Sequence, residues 1–401
     1  MHAPAPPSPL RHPPRMRRAD DGHRHATWLE LFFDLVFVAA VARLGEGLVE
    51  HPDLAGFVRF AGLFVAVAWA WMGFTYYANR FDTDDVPYRA TVSVAMLAVA
   101  AMGVAIGEVD ANWSARFAIA YVAVRVLLLV LYARARRHVP DARGAIDAYL
   151  VGFGLGAALW LASIAVPTPA RYVLWALGLL AEFATPLAAW RAVSAAPIDR
   201  EHLSERFGLF TIIVLGEAVV AVVTGTGVHV WAGASVTVAA TGFIAAVAMW
   251  WIYFDFETGS RPGRGLRAFV SSYGHVPLWM ALAAFGAGTR MAIDDAGALA
   301  ELSGERWALA GSAAVFLLVI GAFHLASTRA EHAVFGLLRL GCIALLLVLA
   351  AAGERFPVTT LMVLVAVTLA VAMLLEAVSM RDTLRGALRR AVAPPERVGV
   401  G

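Results

Sequence analysis

Six ionisable side chains interrupt long apolar runs of the sequence, and residues of these types can carry ion or proton chemistry. An Asp or Arg at the centre of a membrane helix costs about 2.5–3.5 kcal/mol on the insertion scale. Such residues therefore face a bundle interior or a wet cavity, pair with one another and often mark ion or proton pathways. The six residues are Asp34, Arg125, Glu182, Glu217, His275 and Arg339.

The first apolar run, residues 28–49, is unusually charged for a membrane helix, since it holds Glu30, Asp34, Arg43 and Glu46. Glu30 and Asp34 are one helical turn apart and share a face. We expect this helix to line the bundle interior or a wet cavity. The alternative is that both acids only pair with Arg near the cytoplasmic interface. That alternative suits Glu30 better than Asp34, because phenylalanines flank Asp34.

Depth along the helices places the six residues in one layer of the inner half of the membrane. With a rise of ~1.5 Å per residue and an apolar core ~30 Å thick, the depths run from ~9 Å for Asp34 to ~15 Å for Glu217. Each charge in such a layer needs a partner. Two interpretations stay open: a static network that holds the helices together, or a substrate, ion or proton site within that network.

The chemistry of the side chains assigns them different roles. We predict that substrate or ion binding falls to Asp34, Glu182, Glu217 and His275. Arg125 and Arg339 are predicted to be permanent counter-charges, because Arg keeps its proton, and Glu30 is assigned to the same structural group. His275 can titrate near neutrality, but a lone helical histidine is also often just hydrogen-bonded.

The composition of the chain is typical of a membrane protein, so these residues are interpreted as lying within a bilayer. Hydrophobic residues make up 60% and charged residues 15% of the 401 residues, whereas soluble domains have about 45–50% and about 25%. The net charge of +2 argues against a nucleic-acid-binding surface. The single cysteine, Cys342, excludes a disulfide framework. Without an HExxH, Walker or GxSxG motif, we predict no enzyme, cofactor or metal site.

The predicted fold is all-α, a bundle of about twelve transmembrane helices. The spans are 28–49, 56–78, 90–109, 113–133, 147–166, 171–190, 207–226, 231–254, 269–289, 306–326, 333–351 and 357–378. Residues 1–27 are predicted to be a disordered cytoplasmic tail, and residues 381–401 a second cytoplasmic tail. With that orientation 23 of the 32 Arg lie inside, which places both termini in the cytoplasm of a bacterial inner membrane.

Internal similarity indicates a parallel 6+6 repeat, with halves 28–200 and 201–380. "ELFFDLVF" from Glu30 and "ERFGLFTIIV" from Glu205 are 175 residues apart, as are the segments "FDT" and "FET". Such symmetry is common in transporters, although an Ala/Val/Leu-rich chain can also match itself by chance. On the fifth span, Gly152 and Gly156 form a GxxxG pattern that permits close helix packing.

Five segments resemble the low-temperature-requirement A (LtrA) family of bacterial membrane proteins. They are "LELFFDLVFV" from Leu29, "YANRFDTDD" from Tyr77, "LGE" ending at Glu217, "WWIYFD" from Trp250 and "SYGHVPL" from Ser272. The first motif is specific, and the others follow in the family's order over residues 25 to about 380. The resemblance implies a polytopic bacterial membrane protein and supplies no catalytic residues. The first helix also distantly resembles the "FSD" helix of a family of six-span-repeat potassium channels, with Phe33 in place of the Ser.

The leading hypothesis is a secondary transporter of a small ion or solute, in which Asp34 and Glu217 bind a cation or proton. The alternatives are an ion channel with a six-span repeat and a non-transporting membrane protein of the cold or stress response. The expected partners are the lipid bilayer and a small ion or solute, without nucleic acid. The sequence does not determine the oligomeric state.

Overall fold

The structure is a computed structural model that is nearly all helical (89%), as the sequence predicted. It describes residues 12–17, 25–107, 112–195, 198–228, 233–259, 266–296, 298–300, 303–326 and 333–392. The chain divides into two compact units, unit 1 (Met1–Glu217) and unit 2 (Ala218–Gly401). Each unit has its own helices and core.

Unit 1 contains a two-stranded sheet and a set of long helices. Its elements are β1 (Arg15–Met16), α1 (Trp28–Glu50), α2 (Leu54–Arg80), β2 (Phe81–Asp82), α3 (Val86–Ile106), α4 (Trp113–His138), α5 (Arg143–Ser163), α6 (Ala170–Ala188), the short α7 (Trp190–Ala195) and the first part of α8 (Arg200–Val228). Helix α1 packs on α2 and α3, and α4 packs on α3 and α5.

Polar residues define where the first helices begin. Thr27 caps α1 in a capping box with Glu30, Asp53 caps α2 and Asp85 caps α3. These side chains satisfy backbone N–H groups that a helix leaves open at its start. Within the apolar stretches, the helical backbone satisfies its own N–H and C=O groups, as a membrane requires.

The predicted close packing at Gly152 and Gly156 is confirmed. Helix α5 makes its most extensive contact with α6. A Cβ at Gly152 would overlap the side chain of Thr185, and a Cβ at Gly156 would lie 2.5 Å from Glu182 Cγ. Hydrogen in place of a side chain therefore lets α6 approach and seats Glu182 against the α5 backbone.

Unit 2 consists of the remainder of α8 and the helices after it. These are α9 (Gly233–Gly259), α10 (Leu266–Asp294), α11 (Ser303–Arg306), a π-helical turn (Trp307–Gly311), α12 (Ser312–Ala326), α13 (Ala333–Ala352) and α14 (Val358–Val392). Helix α9 packs on α14, α10 packs on α12, and α13 contacts both α12 and α14. An isolated bridge joins Leu299 to Pro357 in the connections between helices.

Within the described residues, ten helices are long and apolar enough to cross a membrane. Helices α1 and α6, at 23 and 19 residues, have spanning length but are not among these ten. Helix α1 carries Glu30, Asp34, Arg43 and Glu46, and these charges reduce its apolar character. A polytopic membrane fold is therefore confirmed in its coarse form. The count of twelve spans, the 6+6 repeat and the cytoplasmic position of both termini stay predictions.

The structure differs from the predicted disordered N-terminal tail over residues 12–17. Strand β1 pairs antiparallel with β2, with Arg15 opposite Asp82. The backbone N–H of Arg17 donates to the Arg80 carbonyl at 3.3 Å. Ladder hydrogen bonds and side-chain ion pairs thus order this part of the tail, which its Arg- and Pro-rich composition did not reveal. Residues 1–11 and 18–24 lie outside the described residues.

Asp85 ties the same segment to α4. Arg134 donates to its two carboxylate oxygens at 2.9 and 2.5 Å, and the backbone N–H of His12 donates to Oδ2 at 3.0 Å. Burial by itself raises the pKa of Asp85, but the hydrogen bonds from Arg134 and the Tyr88 and His12 backbone, with the Arg134 charge, hold that pKa below its ordinary value. Asp85 is therefore an ionised anchor.

Candidate functional site

Asp34 lies in a cluster of charged and aromatic side chains in unit 1, which we call the Asp34 cluster: Glu30, Asp34, Trp71, His202 and Arg206. Asp34 has no solvent exposure. Its Oδ1 accepts hydrogen bonds from Trp71 Nε1 at 2.6 Å and from Arg206 Nη2 at 2.5 Å. Its Oδ2 has no hydrogen-bond partner among the residues that the structure describes. The Arg206 guanidinium also lies 5.6 Å from the Trp71 ring centroid, a cation–π contact.

Glu30 is the second carboxylate of the cluster and is 4% exposed. Its Oε1 lies 3.2 Å from Arg206 Nη1 and 3.4 Å from His202 Nε2. Its Oε2 accepts from the backbone N–H of Thr27 at 2.7 Å and from the Thr27 hydroxyl at 3.0 Å. Arg206 therefore lies between two carboxylates from successive turns of α1, and the structural role assigned to Glu30 stays a prediction.

Asn79 holds His202 from the other side of the ring. Asn79 Oδ1 accepts from the backbone N–H of Asp199 at 3.1 Å, and its Nδ2 donates to the Asp199 carbonyl at 2.7 Å. The same Nδ2 lies 3.2 Å from His202 Nδ1. Asp199 in turn forms an ion pair with Arg17 at 2.8 Å. The Asp34 cluster is thus connected to the N-terminal segment.

Arg125 and Glu182 form a separate buried ion pair in unit 1. Both side chains have no exposure, and Arg125 Nη2 lies 2.7 Å from Glu182 Oε2. The Tyr121 hydroxyl donates to the same carboxylate oxygen at 2.8 Å and accepts from Arg125 Nε at 2.9 Å. One positive and one negative charge compensate each other here. The arrangement fits the static network that the sequence left open.

Glu217 is in a different position from the other acids. It lies far along α8, is half-buried and forms no hydrogen bond or ion pair with any residue that the structure describes. The negative charge of Glu46, a second acid on α1, acts on the Glu217 carboxylate. Glu46 itself is paired with Arg43. Glu217 is therefore a carboxylate without a counter-charge within the described part of unit 1.

In unit 2, His275 is buried and uses both ring nitrogens. Its Nδ1 lies 2.6 Å from the Ser271 carbonyl, which can only accept, so Nδ1 carries the proton. Its Nε2 then accepts from the Tyr253 hydroxyl at 3.1 Å. The rings of Trp279 and Phe323 pack against it. This geometry matches the alternative interpretation of a hydrogen-bonded helical histidine, and a role in binding stays a prediction.

Arg339 pairs with an acid that the sequence did not single out. It forms an ion pair with Glu376 of α14, and His324 Nε2 lies 3.6 Å from the same carboxylate. Arg339 thus has an acidic partner, and its role as a permanent counter-charge stays a prediction. The signal for Glu376 was present, because it is an acid near the end of the last apolar run.

The structure groups the six layer residues into smaller sets. In unit 1, Asp34 pairs with Arg206 and Glu182 pairs with Arg125, while Glu217 has a like charge nearby. The largest omission of the sequence reasoning was Arg206, which we counted among the Arg residues of a cytoplasmic loop. It lies inside α8, is 1% exposed and is the counter-charge of Asp34. Its helical position one residue after Glu205, inside the repeated motif, was the signal that was available.

Comparison with known proteins agrees with the motifs. A family model described as "Bacterial low temperature requirement A protein (LtrA)" matches residues 25–374. An uncharacterised protein of Rhizobium meliloti (strain 1021) is 30% identical over 282 residues, which cover 66% of this chain and 68% of that protein. The family match spans all five motif segments quoted from the sequence, so the predicted resemblance is confirmed. The chain belongs to the bacterial LtrA family of membrane proteins.

Proposed function

We propose that this LtrA family member is a secondary transporter of a small ion or solute in the bacterial inner membrane, with Asp34 and Glu217 as its binding carboxylates. The observation that supports this proposal most is that Glu217 has no counter-charge among the described residues. It is a half-buried acid within an apolar membrane helix, and no cation of the described residues pairs with it. A purely structural charge in this position would be compensated, as Glu182 is by Arg125.

The energetics point to a wet or ligand-lined surface at Glu217. An acid at the centre of a lipid-facing helix costs about 2.5–3.5 kcal/mol. Nearby Glu46 adds like-charge repulsion. Water, a bound cation or a transferable proton relieves both costs, and intramembrane carboxylates commonly serve such pathways. A non-enzymatic role is part of this proposal.

Flux into liposomes tests the proposal. Purified protein is reconstituted and screened for movement of Na⁺, K⁺, H⁺ and small solutes. We expect saturable flux of at least one of them, which Asp34→Asn combined with Glu217→Gln abolishes. The matched control is Asp147→Asn, which alters an exposed ion pair with Arg136 and should retain flux. Unchanged flux in the double variant would contradict the assignment of the two carboxylates.

Two further measurements, combined with the flux screen, separate the two alternatives. Single-channel currents across a planar bilayer would indicate an ion channel in place of a carrier. The buried ion pair between Arg125 and Glu182 favours a second candidate, a non-transporting membrane protein of the cold or stress response. For that candidate, neutralising the buried charges lowers the thermal unfolding midpoint, and no screened ion or solute moves even with the parent protein.

A further inference from the structure

Glu305 is a buried acid of α11 in unit 2. The residue is 1% exposed, and its Oε1 is buried without a hydrogen-bond partner. Within the part of the chain that the structure describes, its carboxylate forms no ion pair, in contrast to Glu182, which pairs with Arg125. Burying an ionised carboxylate without a partner costs so much free energy that such a group binds a proton instead.

The neighbouring Arg306 directs its guanidinium toward other groups. Its Nη1 donates to the Ala300 carbonyl at 2.6 Å, and its Nε donates to the Ala350 carbonyl at 3.2 Å. Its Nη2 lies 3.8 Å from Glu354 Oε2. These contacts tie the start of α11 to the end of α13. The positive charge of Arg306 acts on Glu305, but the guanidinium does not form a salt bridge with that carboxylate.

A π-helical turn, Trp307–Gly311, follows close behind Glu305 in the chain. Single π turns within helices occur frequently at functional sites. This turn packs closely on α10, because a Cβ at Gly288 would lie 2.9 Å from its backbone. The Ser312 hydroxyl donates to the Leu309 carbonyl of the turn at 3.1 Å. The backbone next to Glu305 is therefore held in place by packing and hydrogen bonds.

The elements packed against α11 bring further charged residues to this region. They are α10, α13 and the turn Gly353–Arg355. The negative charge of Asp295, just after α10, acts on the Glu305 carboxylate and favours its proton-bound form. Arg339 of α13 is engaged with Glu376. The remaining charged residues at this end of the packed elements are Arg290, Asp294, Glu354 and Arg355.

We propose that Glu305 is a proton-binding site of unit 2 and that the transporter couples solute movement to the proton bound there. The second part rests on the proposed transport function. Binding of a proton from water converts the Glu305 carboxylate to a carboxylic acid, and release returns the proton to water. In the predicted twelve-span topology the span 306–326 begins at the outer face of the membrane, so this site receives its proton from outside the cell.

The surroundings of Glu305 suit a proton better than a metal cation. Hard cations such as Ca²⁺ and Mg²⁺ need a shell of about six or more oxygen ligands. Among the described residues, no group of three or more His, Cys, Asp or Glu side chains is arranged to hold a metal ion. A proton needs one oxygen, and the buried Oε1 of Glu305 supplies it without displacing a hydrogen bond.

Infrared spectroscopy of the full chain in lipid nanodiscs tests the proton site without any transport assay. Near pH 6, where an ordinary glutamate is ionised, the parent should show a carboxylic acid C=O band that Glu305→Gln lacks. The matched control Glu354→Gln should retain the band, because Glu354 is an exposed acid at the same end of unit 2. The band should shift in D₂O, since a binding site exchanges its proton with water. Equal bands in the parent and Glu305→Gln, or a Glu305 band that D₂O does not shift, would overturn the proposal.

A second variant tests the influence of Asp295 on the same band. Asp295→Asn removes a negative charge that favours the bound proton, so the Glu305 band should disappear at a lower pH than in the parent. Disappearance at the same pH or a higher pH would refute the role of Asp295.

Flux measurements test the coupling separately. For any solute that the liposome screen identifies, Glu305→Gln should lose uptake driven by a pH gradient but retain exchange of labelled for unlabelled solute, because glutamine imitates the neutral acid. Glu354→Gln should retain both activities. Persistent pH-driven uptake in Glu305→Gln, or loss of exchange as well, would overturn the coupling role and leave the transporter proposal intact. Absence of all flux in the parent would contradict the transporter proposal and with it the coupling, and the infrared band of Glu305 would still decide the proton site.

Discussion

A double-mutant cycle on Arg125 and Glu182 tests whether a buried ion pair stabilises unit 1. Glu182→Gln retains the shape of the side chain against Gly156 but removes the counter-charge of a fully buried guanidinium. Breaking a buried pair from one side costs about 3–5 kcal/mol. Because the hydrogen bonds from Arg125 to the Tyr121 hydroxyl remain, we expect a loss at the low end, about 3 kcal/mol, or roughly a hundredfold in the unfolding equilibrium.

The reverse change, Arg125→Met, leaves the Glu182 carboxylate buried beside Tyr121 and should cost a similar amount. With both changes present, no uncompensated charge remains, so the double variant should lose no more stability than one single variant. The expected coupling free energy is therefore at least about 3 kcal/mol. The measurement is denaturant unfolding of the purified protein in micelles, followed by circular dichroism. Additive losses, or a loss below about 1 kcal/mol in Glu182→Gln, would refute this reasoning.

Three further expectations follow from other contacts. Gly152→Ala places a methyl group against Thr185 and should lower the free energy of unfolding by about 1–3 kcal/mol. The control is Gly154→Ala, whose methyl group meets nothing within 4 Å and should be tolerated. Equal losses of stability in the two variants would contradict the packing argument. Asp85 contributes stability that is complete above its unfolded pKa of 3.8 and declines as pH falls through its lower folded pKa. The difference in unfolding midpoint between the parent and Asp85→Asn should therefore shrink below pH 3.8, and a difference that grows would be contrary to this. Trp71→Phe removes the indole donor to Asp34 and should cost about 1–3 kcal/mol; an unchanged midpoint would show that the hydrogen bond adds nothing.

Composition and span length predicted the positions of the helices well, because a bilayer requires long apolar segments with satisfied backbones. The depth of Asp34 and Glu217 in the membrane, which rests on the same arithmetic, stays a prediction. The arithmetic did not predict which helix each residue faces, since apolar residues cover most of a membrane helix and leave its rotation unspecified. Gly152 and Gly156 were the exception, because small residues at that spacing mark a packing face.

The sequence also did not predict which residues pair with the buried charged side chains. Arg206 was attributed to topology because Arg near a predicted span end also serves the positive-inside rule. The sequence cannot distinguish an Arg that anchors a loop from one that turns inward to a buried acid. His202 contacts Asn79, which is 123 residues away in the chain and appeared in the sequence only as part of a family motif.

The contacts of residues 12–17 also constrain the order in which unit 1 is assembled during synthesis. His12 needs Arg134 and Asp85, and Arg17 needs Asp199. This segment leaves the ribosome before the helices that it contacts, and its last partner is made about 180 residues later, a delay of about 9–36 s at ordinary rates of synthesis. A segment that is made before all of its partners thus docks late, because its contacts in unit 1 are complete only after six predicted spans have been synthesised.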